Sequence, residues 1–128
     1  MDTKLHTANL IIKKPSEDDL DSLIKELNNW NISKWLVEVP FPYSINDAKY
    51  WIKKTKVDEF SFNIYLKNKL IGGISITNKH ENNNWELGYW IGEEYWGNKY
   101  AKEACEALIK YFFSNKTARE RKIVSLQF

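Results

Sequence analysis

The sequence has few of the residues that build covalent or metal-linked scaffolds. Its single cysteine is Cys105, and its two histidines, His6 and His80, lie far apart along the chain. One cysteine excludes an internal disulfide, and no cysteine or histidine cluster has the spacing of a metal site. We therefore expect no metal, and the lone thiol favours a reducing, cytoplasmic location.

Long apolar runs and blocks of like charge are missing as well. No stretch approaches the roughly 20 apolar residues that cross a bilayer, and the N-terminal MDTKLHTANL lacks the apolar centre of a signal peptide. The 19 basic and 17 acidic residues are scattered and leave a formal charge of +2. We expect no membrane partner and no nucleic-acid partner, because nucleic-acid binding needs a basic patch.

What the sequence does contain is enough apolar material for one compact core. Of its 128 residues, 43% are hydrophobic and 15% are aromatic. A chain of this length buries roughly two-thirds of the surface that it exposes when unfolded. We therefore expect residues 1–128 to form a single domain.

Hydrophobic periodicity predicts the elements of the first half. In chain order they are a strand in Thr7–Lys14, a helix from Ser16 to about Asn28, an apolar loop with two prolines, a helix that Ser44 caps, and a hairpin of Phe60–Leu66 and Leu70–Thr77 with its turn at Asn68 and Lys69. In the hairpin, Phe60, Phe62 and Ile64 are expected to share one face with Leu66.

The second half predicts a strand, a helix and a further strand. Trp85–Ile91 alternates, and Gly88 within it indicates either a bulge or the close approach of another backbone or a ligand. The helix that follows carries an apolar stripe: Ala101, Ala104, Cys105, Leu108, Ile109 and Phe112. Lys122–Phe128 is then expected to pair in parallel with Trp85–Ile91.

The joint between that strand and helix, EEYWGNKYAKEA, is a candidate anion site. Gly97 allows a turn and a close approach to the backbone, and the first amides of the helix have no partner within it. The alternative is an ordinary turn. Nucleotide templates do not fit, because the G-x-x-x-x-G-K-[ST] pattern has its lysine, Lys99, one residue late and lacks the hydroxyl, and G-x-G-x-x-G is absent.

The stretch NNWELGYWIGEEYWGNKYAKEACEALIKYFF resembles the acetyl-CoA-binding core of the GNAT acetyltransferase superfamily, in the branch that acetylates ribosomal-protein N-termini and small molecules. The resemblance implies an α/β (α+β) fold, a mixed and mostly antiparallel sheet flanked by helices. Similar proteins continue with a helix and two strands, so the resemblance implies a domain in 1–128 that lacks these last elements. It also implies acetyl-CoA as the cofactor.

The same resemblance assigns cofactor contacts to two backbone segments. It implies that pantetheine pairs with Tyr89, Trp90 and Ile91, and that the pyrophosphate rests on Gly97, Asn98, Lys99, Tyr100 and Ala101. Two residues depart from the family pattern. Glu94 replaces a glutamine or arginine, and Lys99 replaces a glycine or alanine, so we expect the Lys99 side chain to point outward and binding to be weaker than with glycine.

Acetyl transfer from a thioester to an amine requires a base that keeps the amine neutral, an N–H donor to the thioester carbonyl and an acid that protonates the leaving thiolate. The resemblance favours Glu86 as the base, acting through water, and the alternative is an exposed strand glutamate. In similar proteins the acid is a tyrosine on the later helix; here Tyr43, Tyr50 and Tyr111 are substitutes, although packing roles suit them better. Four aromatic residues could line an acceptor pocket or belong to the core: Trp30, Trp35, Phe41 and Tyr43.

Three functions remain open at this point. The first is an N-acetyltransferase that moves acetyl from acetyl-CoA to a primary amine, of a protein N-terminus or a small molecule, by direct attack. The second is a catalytically weak or inactive CoA-binding or interaction module with the same fold. The third, a nucleic-acid-binding α/β domain, is supported only by scattered basic and aromatic residues.

The last strand is expected to leave an unpaired sheet edge, and exposed edges pair with other chains. We predict a homodimer that forms through Lys122–Phe128. Sedimentation at micromolar concentration should show a dimer, and a clean monomer would contradict this prediction.

Overall fold

The computed structural model describes residues 3–36, 39–78, 84–114 and 122–127, with Ile123 the one side chain described in the last range. The strands are β1 (Lys4–His6), β2 (Ile11–Lys13), β3 (Ser61–Leu66), β4 (Lys69–Thr77), β5 (Asn84–Ile91) and β6 (Lys122–Gln127). The helices are α1 (Leu20–Leu27), α2 (Trp30–Ser33), α3 (Ile45–Val57) and α4 (Tyr100–Ser114), with 3₁₀ turns at Glu17–Asp19 and Glu93–Tyr95.

The described strands form one mixed sheet in the order β1-β2-β3-β4-β5-β6. The first five pair antiparallel with their neighbours, and β6 pairs parallel with β5. A parallel pair needs a crossover connection, which α4 supplies. The predicted fold class and the predicted parallel pairing of the last strand are both confirmed. In this order β6 lies at one edge of the sheet. Whether two copies associate through that edge stays a prediction.

Helices cover both faces of the sheet and bury two apolar clusters. On one face α4 packs its predicted stripe, with Ala104, Leu108 and Phe112 fully buried. The hairpin residues Phe60, Phe62 and Ile64 are buried in that cluster, and Leu66 packs against it, as predicted. The other face holds the cluster formed with α1, α2 and α3, which contains Leu23, Leu27, Ile32, Tyr43, Ala48, Ile52, Tyr65, Leu70 and Trp90.

Reciprocal capping fixes the start of both predicted N-terminal helices. Ser44 N–H donates to Asp47 Oδ2 at 2.8 Å, and Asp47 N–H donates to Ser44 Oγ at 3.1 Å. Ser16 and Asp19 form the same capping box before α1. Each box satisfies amides that the first turn leaves without partners. No helix in the described ranges is long and apolar enough to span a bilayer.

Two local predictions, the first strand and the hairpin turn, were wrong. The run Thr7–Lys14 is not one strand, because Thr7 N–H donates to Leu10 O at 2.9 Å in a turn, and Lys4–His6 pairs back on Ile11–Lys13. Between α1 and the predicted loop Trp35–Tyr43 lies the short helix α2, which was not predicted and whose start Asn29 caps.

The hairpin turn lies one residue earlier than predicted. Lys67 and Asn68 have φ of 50° and 67°, and Leu66 pairs with Lys69. Two consecutive positive φ values match the right-handed twist of the strands.

Gly88 does not form a bulge. It pairs in register with Ser75, and the irregularity of β5 lies between Trp85 and Glu86, beside β6. The other alternative for this glycine, the close approach of another backbone or a ligand, stays a prediction; Gly88 borders a cavity.

Candidate active site

Successive side chains of strand β5 point to opposite faces of the sheet and so belong to two different apolar clusters. Leu87, Tyr89 and Ile91 face α4, whereas Trp90 packs into the opposite cluster. The described pairing of β6 with β5 ends at Gly88. Beyond that point the strand continues as Tyr89–Ile91. On the edge away from β4, no described strand pairs with this segment, and α4 and the loop before it lie nearby.

The ladder to β4 determines where the backbone of this segment points. Gly92 N–H donates to Ile71 O at 2.7 Å, which makes these two residues a hydrogen-bonded pair. Because hydrogen-bonded and non-bonded pairs alternate in an antiparallel ladder, the backbone groups of Tyr89 and Ile91 are directed away from β4. The Ile91 carbonyl accepts from Trp96 Nε1 at 2.7 Å, in agreement with that direction.

Two left-handed residues turn the chain from β5 into α4. Gly97 has φ of 84° and Lys99 has φ of 64°. Glu103 N–H donates to Lys99 O at 3.1 Å, the first bond of the helix. The amides of Tyr100, Ala101 and Lys102 therefore precede the intrahelical ladder and lie at the positive end of a helix of 15 residues.

Side chains hold this loop in place. Asn98 Nδ2 donates to Tyr95 O at 3.1 Å and to Trp96 O at 3.4 Å. Glu93 accepts from Asn29 Nδ2 at 2.7 Å and from Asn31 Nδ2 at 3.2 Å, which ties the loop to α2. These hydrogen bonds hold the pKa of Glu93 below its ordinary value.

Gly92 is required where the loop begins. A side chain there would collide with the carboxylate of Glu26, which is 8% exposed. Burial, and then the neighbouring Glu94, raise the pKa of Glu26. The carboxylate of Glu94 itself lies 3.7 Å from Lys69 Nζ, so this departure from the family pattern forms an ion pair with β4.

Strand β5, the loop and α4 enclose a cavity of about 920 Å³, the large cleft. Seven of the eight predicted cofactor residues line it: Tyr89, Trp90, Ile91, Gly97, Lys99, Tyr100 and Ala101. Asn98 is the exception, since its side chain bonds the turn instead. The structure thus brings these residues together, and their role in cofactor binding stays a prediction.

Several residues of the large cleft have no signal in the sequence pattern. Ile32 and Leu36 reach it from α2 and the segment beyond, and Trp96 and Lys102 belong to the loop and α4. The indole N–H of Trp96 also donates to the Ile91 carbonyl of β5. A tryptophan just before the loop glycine was therefore the one sequence feature that could have indicated this part of the cleft. Of the four aromatic residues considered for an acceptor pocket, Trp35 lines the large cleft, Tyr43 is buried in the core, and Trp30 and Phe41 form an exposed pair.

The predicted catalytic and nucleophilic candidates lie in different places. Glu86 lies on the face of β5 that carries Gly88 and Trp90, opposite Thr77, and outside the lining of the large cleft. Tyr111 packs on Phe60 in the core, and Tyr50 is exposed.

Cys105 lines the large cleft as a half-buried residue. Burial, and then Glu106, raise the pKa of the Cys105 thiol to about 11. The thiol is therefore protonated at neutral pH, and a protonated thiol is a poor nucleophile.

Comparison with known proteins decides the family. The sequence pattern of the Acetyltransferase (GNAT) domain matches residues 9–126, nearly the whole chain. The chain belongs to the GNAT acetyltransferase family. The predicted resemblance is confirmed, and the large cleft lies where that resemblance places the cofactor-binding segments.

Individual relatives extend beyond this chain. The uncharacterized N-acetyltransferase p20 of Bacillus licheniformis is 27% identical over 120 residues, which cover 87% of this chain and 66% of p20. A GNAT-family acetyltransferase structure from Bacillus anthracis superposes with a TM-score of 0.76 at 23% identity, covering 88% of this chain and 67% of that one.

RimL, a ribosomal L7/L12 alpha-N-protein acetyltransferase in complex with coenzyme A, superposes with a TM-score of 0.70 at 16% identity. The match covers 86% of this chain and 67% of RimL. The two structural likenesses establish the shared fold.

Lys99 carries a measurable conformational cost. A non-glycine residue in the left-handed region is less stable than glycine by roughly 1–2 kcal/mol. Lys99→Gly relieves this cost, and the entropy that glycine adds to the unfolded chain offsets part of the gain. We expect the free energy of unfolding, measured in urea titrations, to rise by about 1 kcal/mol.

Lys102→Gly is the matched control, because it makes the same substitution inside the first turn of α4. It should destabilise the protein by about 1 kcal/mol. A Lys99→Gly protein as unstable as Lys102→Gly would show that the backbone at Lys99 is not strained.

Proposed function

We propose that the chain binds acetyl-CoA in the large cleft and transfers its acetyl group to a primary amine. The observation that carries this proposal is the backbone around Gly97. A Cβ built on Gly97 would meet no atom within 4 Å, so the space in front of the loop is open to a ligand. The open space adjoins the first amides of α4, which attract anions.

The pyrophosphate of the cofactor suits this loop for two reasons. The amides of Tyr100, Ala101 and Lys102 lie at the helix end where negative charge is favoured. Lys99 and Lys102 border the same cleft and can add positive charge. Glu94, which stands at the pattern position for glutamine or arginine, is paired with Lys69, so its negative charge is partly offset.

The pantetheine arm suits the wall of the large cleft. The backbone of Tyr89 and Ile91 is directed to the open side of β5, where an extended amide chain can align along it. Leu87, Cys105 and Ala101 supply apolar surface beside that strand. When bound, acetyl-CoA supplies an activated thioester carbon at this strand.

The amine is proposed to enter from the opposite face of β5. Glu86 and Gly88 lie on that face, two residues apart, and therefore about 7 Å apart along the strand. Glu86 would take the ammonium proton through a water, which leaves the amine neutral for direct attack. An N–H of the Tyr89–Ile91 segment would donate to the thioester oxygen and stabilise its developing charge.

The wider assignments follow from the same proposal. RimL acts on the N-terminus of a ribosomal protein, and p20 is named for N-acetyl transfer, which supports an amine acceptor here. A single domain in 1–128, a cytoplasmic location and a homodimer through β6 remain predictions.

Calorimetry with acetyl-CoA tests the binding half of the proposal. Gly97→Ala and Gly97→Trp impose the same backbone strain at φ of 84°, but only tryptophan fills the open space. We expect Gly97→Trp to weaken binding at least about tenfold more than Gly97→Ala, which corresponds to about 1.4 kcal/mol. Equal affinities of the two variants would contradict binding at this loop.

Thiol release tests the catalytic half, measured with acetyl-CoA and a panel of amines and peptides. We expect Glu86→Gln to lower kcat by about 10²–10⁴-fold, as removal of a general base does, with acetyl-CoA affinity unchanged. Glu106→Gln, an exposed carboxylate paired with Lys102 at 4.0 Å, is the control with full turnover. Cofactor binding without turnover by the unmodified chain would instead support the alternative, a CoA-binding module.

A further inference from the structure

A second cavity of about 80 Å³, the small cavity, lies between α3 and the sheet on the face opposite α4. Residues from the end of α3 and from three adjacent strands are among those that line it: Lys54, Thr55, Asp58, Ser61, Ser75 and Gly88. The small cavity shares Leu36, Tyr89 and Trp90 with the large cleft. An occupant of the small cavity therefore lies next to the strand along which the cofactor is proposed to bind.

A row of three paired residues forms the sheet side of the small cavity. Ser61 pairs with Ser75, and Ser75 pairs with Gly88. Side chains of directly paired residues point to the same face of a sheet, so the two serine hydroxyls lie on one side of Gly88. Thr77 and Glu86 form the next pair on that face. The proposed base is therefore close to a surface that carries hydroxyl groups.

Lys54 brings a positive charge without a counterion to the wall of the small cavity. This side chain is half-buried and forms no ion pair with any residue in the described ranges. Asp58 also lines the cavity, but its carboxylate attracts a different lysine, Lys14. The Lys14 ammonium donates to the carbonyls of Thr55, Asp58 and Ser61, which holds the turn after α3 in place.

The donors of the small cavity suit a carboxylate. An ionised carboxylate only accepts hydrogen bonds, and its strongest partners are cationic donors such as the ammonium of Lys54. The flexible four-carbon stem of a lysine lets the ammonium reach a small ligand. On the sheet side, the hydroxyl of Ser75 can donate a second hydrogen bond. A carboxylate would also neutralise the ammonium, which a neutral ligand cannot do.

The volume of the small cavity restricts the rest of the ligand. A water molecule needs about 10–15 Å³ of such volume, so the small cavity has room for about five to eight non-hydrogen atoms. Glycine and alanine are of this size, and amino acids with long side chains exceed it.

We propose that the small cavity binds the carboxylate of a small free α-amino acid through Lys54, so that the amine of this acceptor lies at Gly88 within reach of Glu86. This inference rests on the proposed function, because it names the class of acceptor. It distinguishes a free amino acid from a peptide N-terminus, in which an amide replaces the carboxylate.

The products are then an N-acetylamino acid and coenzyme A. The bond from the amine nitrogen to the acetyl carbon forms, and the bond from that carbon to sulfur breaks. The ammonium nitrogen loses two protons in total. One passes through water to Glu86, and the other ends on the sulfur of coenzyme A.

Nuclear magnetic resonance titrations of the ¹⁵N-labelled protein test the proposal without turnover, followed at the backbone amides of Ser75 and Gly88. At about pH 6, L-alanine and L-alaninamide both carry an ammonium group, and only L-alanine carries a carboxylate. We expect L-alanine to bind at least about tenfold more tightly, because a hydrogen bond between charged groups is lost in the amide. Equal affinities, or signals of Ser75 and Gly88 that do not respond to L-alanine, would overturn the proposal.

The size limit has its own measurement. L-leucine has the same charged groups as L-alanine and a side chain too large for the small cavity. It should bind at least about tenfold more weakly, because overpacking displaces well-packed neighbours. L-leucine that binds as tightly as L-alanine would contradict binding in this cavity.

Variants of two neighbouring lysines isolate the charge. Lys54→Met keeps an unbranched stem and removes the ammonium, so the dissociation constant for L-alanine should rise at least about tenfold while that for L-alaninamide stays unchanged. Lys53→Met, at an exposed position of α3 outside the small cavity, is the matched control and should alter neither constant. Lys54→Arg keeps the charge and should keep the preference for L-alanine. Equal weakening of both ligands in Lys54→Met would contradict the role of its ammonium.

Titrations with and without coenzyme A separate this inference from the proposed function. Coenzyme A should shift the signals of Gly97 and Ala101, which line the large cleft. A protein that responds to coenzyme A but to L-alanine in neither titration overturns the amino-acid site alone. A protein that responds to L-alanine through Lys54 but not to coenzyme A overturns cofactor binding and leaves the amino-acid site standing.

Discussion

The structure depends on the way the chain leaves β5 and enters α4. Within eight residues, 92–99, it must turn so that the start of the helix faces the outer edge of the strand. Two positive φ values, at Gly97 and Lys99, make that turn, and hydrogen bonds from Asn98 and to Glu93 hold it. A different conformation at either residue would separate the helix amides from the strand edge, and the large cleft would not exist.

The second constraint is the alternation of β5 itself. Leu87 and Ile91, which face α4, line the large cleft, and Gly88, on the opposite face, borders a cavity of about 80 Å³ between α3 and the sheet. Because successive residues alternate, one strand of eight residues serves two chemically different spaces without a separate wall between them. Gly73 makes room for the Trp90 indole, since a Cβ there would lie 2.5 Å from Trp90 Nε1.

The sequence predicted those features that arise from local chemistry. Capping boxes at Ser16 and Ser44, the apolar stripe of α4 and the alternation of β3 each depend on residues a few positions apart, and they were identified correctly. The strand Lys4–His6 was missed because three residues with one apolar member carry almost no periodicity. The hairpin turn was displaced by one residue because Lys67 gives no hint of a positive φ.

The site was predictable only where a contiguous motif encodes it. Seven cofactor candidates from Tyr89 to Ala101 line one cleft, since strand, loop and helix follow directly in the chain. Ile32 and Leu36 reach the cleft from a distant segment, and Trp51 joins the cluster that contains Trp90 only after α3 packs on the sheet. Such encounters depend on tertiary packing, which spacing in one sequence does not reveal.

Trp90 lines both the large cleft and the cavity of about 80 Å³ between α3 and the sheet. A shared wall of this kind couples the two spaces: a movement of this ring toward one of them changes the shape of the other.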